Sequence, residues 1–283
     1  MNSPITSALS SSRAVRPEAE VAGPTVSRWL AALAYRFAPL LVFVGVIAVW
    51  EAGCRLLEVP SFLLPAPSMI VKGFQEQELS TWAAHTWATL RVAIMGFIVA
   101  VAVSIPLAIG LATSKLMSRA VYPLIVVIHS MPIVAVAPII VVTMGTSDLP
   151  RVAITFLITF FPIVVTTTAG LLATPPELIE LSRSLRAEWA RETYHIRLPF
   201  ALPYIFSALK ISTTLAVIGA VVAEFVSAEK GLGYMIQFTT SFFKINQAFA
   251  ALTLLVVISL CFFQFIALMQ RIIVPWAREE VGK

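Results

Sequence analysis

Charge is what this 283-residue chain has least of: Asp, Glu, Lys and Arg together make up 12% of it, against 59% hydrophobic residues. So few polar groups exclude a soluble globular domain, and a mean hydropathy of +0.90 makes lipid the solvent for most of the chain. Cysteine is nearly absent. Cys54 and Cys261 each lie in or beside an apolar stretch, where they behave as small hydrophobes and offer neither a disulfide framework nor a metal site. His85, His129 and His195 are scattered without metal-ligand spacing. No Gly-x-x-x-x-Gly-Lys-Ser/Thr phosphate loop occurs, so the chain cannot hydrolyse ATP by itself. The apolar stretches lack the paired acids or histidines of a proton relay, and the Ser-His, two-aspartate or zinc constellation of an intramembrane enzyme. Inverted repeats and broken helices, the marks of a stand-alone secondary transporter, do not stand out. The basic residues form no stripe with interleaved aromatics, which argues against nucleic acid. These absences describe a non-catalytic chain with no metal or cofactor of its own.

What is present is six apolar windows, at about 36–57, 91–113, 121–144, 151–173, 203–225 and 249–272. Each is long enough for the roughly 20 residues that cross a bilayer as a helix. The expected fold is therefore all-α and polytopic, with about six transmembrane helices. Residues 1–34 form a polar tail and interfacial segment, and 35–283 form the membrane domain, with a core over about 85–275. Residues up to about 28 are too poor in apolar groups to order themselves. Val26, Trp29, Leu30, Leu33 and Phe37 then recur at helical spacing as a short interfacial helix. With the N-terminus inside, only Arg55, Lys72, Arg91, Arg151, Lys230 and Lys244 of the 20 basic residues fall outside. That bias places both termini and the 174–199 loop in the cytoplasm.

Prolines and small residues mark the spans. Pro60, Pro65 and Pro67 forbid a continuous helix and favour extended or turn backbone, in an external connector. Trp82 and Trp87 stand where an aromatic belt is expected. Gly96, Ser104 and Gly110 allow close helix approach in the second span. The third span carries Pro132 and Pro138 with His129 nearby, and the fourth carries Pro162; these are candidates for a kinked pathway. Glu224, beside Gly231 and Gly233, is a candidate outer gate or contact for a docked binding protein, or else an interfacial acid satisfied by water or Lys230.

The 174–199 loop is the most informative segment. Thr174, Pro175 and Glu177 have the spacing of an N-cap hydroxyl, a proline at the first helical position and a capping-box acid. Leu178, Leu181, Leu185 and Trp189 follow three or four apart, opposite Glu180, Arg183, Arg186 and Arg191. One face is expected to pack on the membrane domain while the ends meet a cytoplasmic partner.

The run Glu180-Leu181-Ser182, three residues, Arg186, nine residues, Ile196-Arg197-Leu198-Pro199 resembles the EAA loop of permease subunits of binding-protein-dependent ABC importers. That loop has the pattern EAA, three residues, Gly, nine residues, I-x-L-P. Other matching stretches are Leu64-Pro-Ala-Pro67, Met131-Pro-Ile-Val-Ala-Val-Ala-Pro138, Phe161-Pro162 and Gly231-Leu-Gly233, in the order seen in the branch serving sulfonates, taurine and nitrate. The resemblance implies a type I ABC importer permease fold in the bacterial inner membrane. It also implies a coupling helix through Glu177, Glu180, Leu181, Ser182, Arg183, Leu185, Arg186, Ala187, Ile196, Leu198 and Pro199, and a homodimer. Two ATPase subunits would carry ATP and Mg, and a periplasmic or lipid-anchored protein would deliver the solute. A sulfonate, taurine or nitrate is the implied solute, with a pyrimidine, another heterocycle or an aromatic acid as the alternative. Two departures stand out. Arg186 replaces the glycine of the loop, so the turn is expected to be strained, reshaped or replaced by continued helix, and Thr143-Met144-Gly145 replaces a common Trp-Phe-Gly.

Overall fold

A computed structural model describes residues 26–145 and 147–276, with side chains from Phe37 onward. The polar tail over residues 1–25 and the last seven residues lie outside the described part. Every regular element described is helical. The chain divides into two compact units at Trp50/Glu51. The described part of the first is most of helix α1, Val26–Leu56, in which the expected interfacial segment and first span run on as one helix. The second unit holds the remainder.

In the second unit α1 ends beside a short helix, α2 (Pro67–Gln75). Pro67 starts α2, because a first-turn proline loses no helical hydrogen bond. The connector before it, residues 59–66, is turn and irregular chain, as its prolines require. Glu51 fastens the start of α2, accepting from Ser68 N at 2.9 Å, Ser68 Oγ at 2.8 Å and Arg55 at 2.6 Å. Next comes α3, Leu79–Thr113, 12 residues longer at its start than the apolar window, which begins at 91. Trp82 does not join an aromatic belt: it is buried, donates its indole N–H to Phe74 O at 3.1 Å and ties α2 to α3. Trp87 is exposed.

The largest departure concerns the third window. It forms two helices, α4 (Lys115–Ser130) and α5 (Ile133–Met144), bent by 94°. Proline lacks the N–H that would continue α4 and drives the preceding residue out of helical backbone. Met131 is accordingly extended (φ −73°, ψ 130°), and Pro132 becomes the N-cap of α5. Among the described residues five helices are long and apolar enough to cross a membrane, or six crossings result if the bent pair counts as one. A broken helix is therefore present in this chain after all.

The other long helices are α6 (Asp148–Leu172), α9 (Leu198–Ser227) and α11 (Ile245–Ile273). Between α6 and α9 lie α7 (Pro176–Ser184), α8 (Trp189–Glu192) and a π-helical turn, Thr193–Arg197; α10 (Leu232–Ser241) joins α9 to α11.

The centre is α3, α6 and α9, whose facing surfaces are small or β-branched. Ala93 and Ala100 on α3, Ile154, Thr155 and Ile163 on α6, and Ala216 and Ala220 on α9 are fully buried. Small side chains replace the hydrophobic effect as the source of packing in lipid, because they bring backbones within van der Waals reach. Thr155 occupies the narrowest point. A Cβ on Gly96 would overlap Thr155 Cγ2, and one on Gly219 would come within 2.8 Å of Thr155 Cα. Ser104 adds a hydrogen bond across the helices to Phe160 O at 3.2 Å. The broken pair braces this core from outside: Ile125 of α4 packs on Leu111 and Val164, and Ala137 of α5 on Ile154 and Ala223.

Replacing Gly96 or Gly219 with Val should cost about 1–3 kcal/mol or more through overpacking, seen as a lower melting temperature in detergent. Gly53→Ala, with no atom near the added Cβ, should leave melting unchanged.

Candidate functional site

The segment joining α6 to α9 is a short helical hairpin, and its start differs from the capping box. Thr174 Oγ1 donates back to Leu171 O at 3.1 Å, and the N-cap of α7 is Pro175 with Pro176 at the first helical position. Pro175 (φ −52°, ψ 130°) moves the cap one residue along and takes the hydroxyl out of reach of the helix N–H groups.

α7 ends in a Schellman motif. Ala187 N donates to Ser182 O at 3.0 Å and Arg186 N to Arg183 O at 2.9 Å, with Arg186 in the left-handed region at φ 54°. This is the place where glycine is favoured, because a Cβ there costs about 1–2 kcal/mol. The turn is neither reshaped nor replaced by continued helix: Arg186 takes the glycine conformation, and the two capping bonds hold it there.

Beyond the turn, Glu192 organises the return to the membrane. Its carboxylate accepts from Arg197 Nε at 2.9 Å and Nη2 at 2.7 Å, and lies 3.5 Å from Arg183 Nε. Glu192 and Arg197 are mostly buried, so this pair links α8 to the base of α9 and, through Arg183, to α7. The backbone between them widens into the π turn because the ring of Pro199 crowds the carbonyl four residues back. Sequence reasoning missed Glu192. Its signal is the five-residue offset to Arg197 just ahead of a proline, which a four-residue helical search passes over.

The apolar stripe faces the other way from the sequence expectation. Leu178, Leu181, Leu185 and Trp189 are 43%, 58%, 75% and 57% exposed, while Ile179 at 7% and Ser182 at 4% face the protein. Glu177, Glu180 and Arg183 are also exposed. Leu178, Leu181, Leu185, His195, Ile196 and Pro199 line a groove of about 460 Å³. The hairpin is thus tethered at both ends to core helices, and its outward surface is apolar with a charged margin. That is the composition of a protein-docking surface.

The remaining candidates fall in two places. His129, at the end of α4, stacks on Phe161 at 3.8 Å between ring centres, which sets it beside Pro162; Pro132 makes the break, and Pro138 is exposed on α5. Glu224 is 1% exposed, as are its glycine neighbours buried, so in this conformation a docked protein would meet the exposed Glu229 and Lys230 instead. Lys230 does not pair with Glu224. Three successive N–H groups at the start of α10 take side-chain acceptors from two other helices: Gly231 N to His85 Nδ1 at 3.0 Å, Leu232 N to Thr89 Oγ1 at 2.8 Å and Gly233 N to Glu224 Oε2 at 2.7 Å. Gly231 has φ 137°, and a Cβ on it would overlap the Glu224 carboxyl. The glycines are there because the acid sits against their backbone. His85 and Thr89, one turn apart on α3, belong to this latch and were not singled out by the sequence reading.

Long apolar helices packed on a three-helix core, with an exposed hairpin inserted between two of the core helices, define a polytopic helical membrane protein. The chain belongs to the family of binding-protein-dependent transport system inner membrane components, which matches residues 100–279. It is an ABC importer permease of the kind that includes sulfonate, taurine and nitrate permeases. It is 34% identical to the formylaminopyrimidine transport permease protein ThiX of Halalkalibacterium halodurans, over 86% of this chain and 96% of that one. It is also 34% identical to the riboflavin transport system permease protein RibX of Chloroflexus aurantiacus, over 84% and 87%. The putative aliphatic sulfonates transport permease protein SsuC of Bacillus subtilis is 28% identical, over 86% and 88%. An inward-facing structure of the MetNI methionine ABC transporter shares the fold, with TM-score 0.58 at 20% identity over 74% of this chain and 97% of that one.

Arg186→Gly should relieve about 1 kcal/mol of left-handed strain, slowing hydrogen exchange over α7 while transport persists. Glu192→Ala should have the opposite effect. Leaving the largely buried Arg197 without its partner should cost about 3 kcal/mol, with faster exchange and proteolysis confined to residues 176–197.

Proposed function

We propose that two copies of this chain form the pore of an importer that takes up a small solute by alternating access. Two copies of a separate ATPase, carrying ATP and Mg, would close on the hairpins and turn the pore outward; hydrolysis would return it inward. A periplasmic or lipid-anchored binding protein would deliver the solute. The observation that carries this reading is the outward apolar stripe Leu178, Leu181 and Leu185 on a hairpin whose ends run directly into α6 and α9. An ATPase subunit seated there moves both core helices at once. If the bent α4–α5 pair makes one crossing, six crossings return the chain to its starting side, and the bias of basic residues makes that side the cytoplasm.

For the solute, a heterocycle of the pyrimidine or flavin type is favoured over a sulfonate, taurine or nitrate. The relatives named for heterocycles are 34% identical, against 28%, 25% and 29% for those named for the other three solutes.

Glu180→Lys, at the margin of the stripe, should detach or uncouple the ATPase while the membrane domain keeps its melting temperature; unchanged uptake and ATPase rates would sink the docking assignment. In vesicles holding the complete transporter, a labelled aminopyrimidine should be taken up and taurine excluded, and the reverse preference would return the solute to the sulfonate group.

A further inference from the structure

Between the start of α4 and the inner side of the hairpin lies a recess of about 690 Å³, separate from the hairpin's outward groove. Its walls carry four cations, Lys115, Arg119, Arg183 and Arg197, and a single acid, Glu192. Glu192 is already committed, since Arg197 holds it by two hydrogen bonds and Arg183 lies at 3.5 Å. Lys115 and Arg119 have no carboxylate within ion-pair distance among the described residues. Four positive charges against one negative leave the recess three charges in excess.

The position of the two unpaired cations adds a second argument. Lys115 is the first residue of α4 and Arg119 lies one turn on, and the first turn of α4 holds no acid. A helix start already carries positive partial charge from its free N–H groups, so cations there are disfavoured unless an anion lies between them. Apart from Thr113 and Ser118, the other walls are apolar. Leu111 and Ala112 come from the last turn of α3, Leu172 from the last turn of α6, and Trp189 from the hairpin. A ligand filling the recess would therefore present an oxyanion to the cations and hydrocarbon to the ends of two spans.

We propose that this recess binds the phosphate head of an acidic phospholipid from the adjoining leaflet, with Lys115 and Arg119 as its ligands. Basic pockets at the ends of membrane helices hold such head groups, and the apolar walls at the ends of α3 and α6 continue toward the acyl region. The shared chemistry is a tetrahedral oxyanion, so free phosphate or a sulfonate solute is the other source to be separated. The hairpin's outward groove and this recess share no lining residue, and Lys115 and Arg119 lie on α4, outside the hairpin.

The test is native mass spectrometry of the full chain, released from nanodiscs containing phosphatidylglycerol or phosphatidylcholine. The wild-type protein should retain phosphatidylglycerol selectively, and the Lys115→Gln/Arg119→Gln double variant should lose it. Each cation near a membrane surface contributes about fivefold in affinity, so the fall should be about 30-fold. Lys72→Gln, at a residue that does not line the recess, should leave retention unchanged, and Lys115→Arg/Arg119→Lys should preserve it if the Gln variant does not fold. Displacement of the lipid by millimolar inorganic phosphate or taurine would overturn the lipid source and assign the site to a free oxyanion. Equal retention in wild type and double variant would overturn the proposal. ATPase recovery with the double variant separates the two ideas, because it should stay intact even if the lipid is lost.

Discussion

Thr155 sits between Gly96 and Gly219, and the membrane fold depends on that fit. Helices in lipid gain nothing from hiding apolar surface from water, so three of them stay together only if backbones approach closely enough for dense van der Waals contact. The two glycines remove the Cβ atoms that would hold α3 and α9 away from α6, and the alanines above and below extend the contact. Ser104 and Thr159 carry their hydroxyls through this core by bonding to backbone carbonyls, so neither presents an unmet polar group to the interior.

A tight three-helix unit is also a mechanical element. The hairpin containing α7 and α8 connects α6 to α9 with no flexible linker: Thr174 bonds back to the end of α6, the Schellman turn closes α7, and Glu192 with Arg197 fixes the return into α9. At the other end of α9, Glu224 with His85 and Thr89 of α3 holds the start of α10. Displacement applied to the hairpin is therefore delivered to the centre of the membrane unit, and the α9–α10 latch lies along the same helix.

Much of this was legible in the sequence. The apolar windows located the long helices, because length and hydropathy are what a bilayer demands. The EAA-like spacing located the hairpin, since a fixed geometry needs fixed offsets. What stayed hidden turns on partners rather than periods. Leu178, Leu181 and Leu185 announce a stripe, but periodicity cannot say whether the stripe faces its own chain or another one. Pro132 breaks the third window where Pro123 and Pro138 are accommodated within helices, and local sequence does not separate these cases. Trp82 was assigned to lipid because its hydrogen-bond partner, the Phe74 carbonyl, is a backbone group with no residue signature. Arg186 shows the converse: the motif identified the strained position, and the structure shows that the turn persists with the wrong residue in it.

The central claim is that this chain is moved by an ATPase seated on the hairpin. Gentle affinity purification of the tagged protein from its native membranes, with mass spectrometry of the co-eluting chains, tests it most directly. The account predicts recovery of a soluble ATPase in stoichiometric amount, accompanied by a solute-binding protein under milder washing. Recovery of this chain alone, under conditions that preserve a control ABC complex, would contradict it.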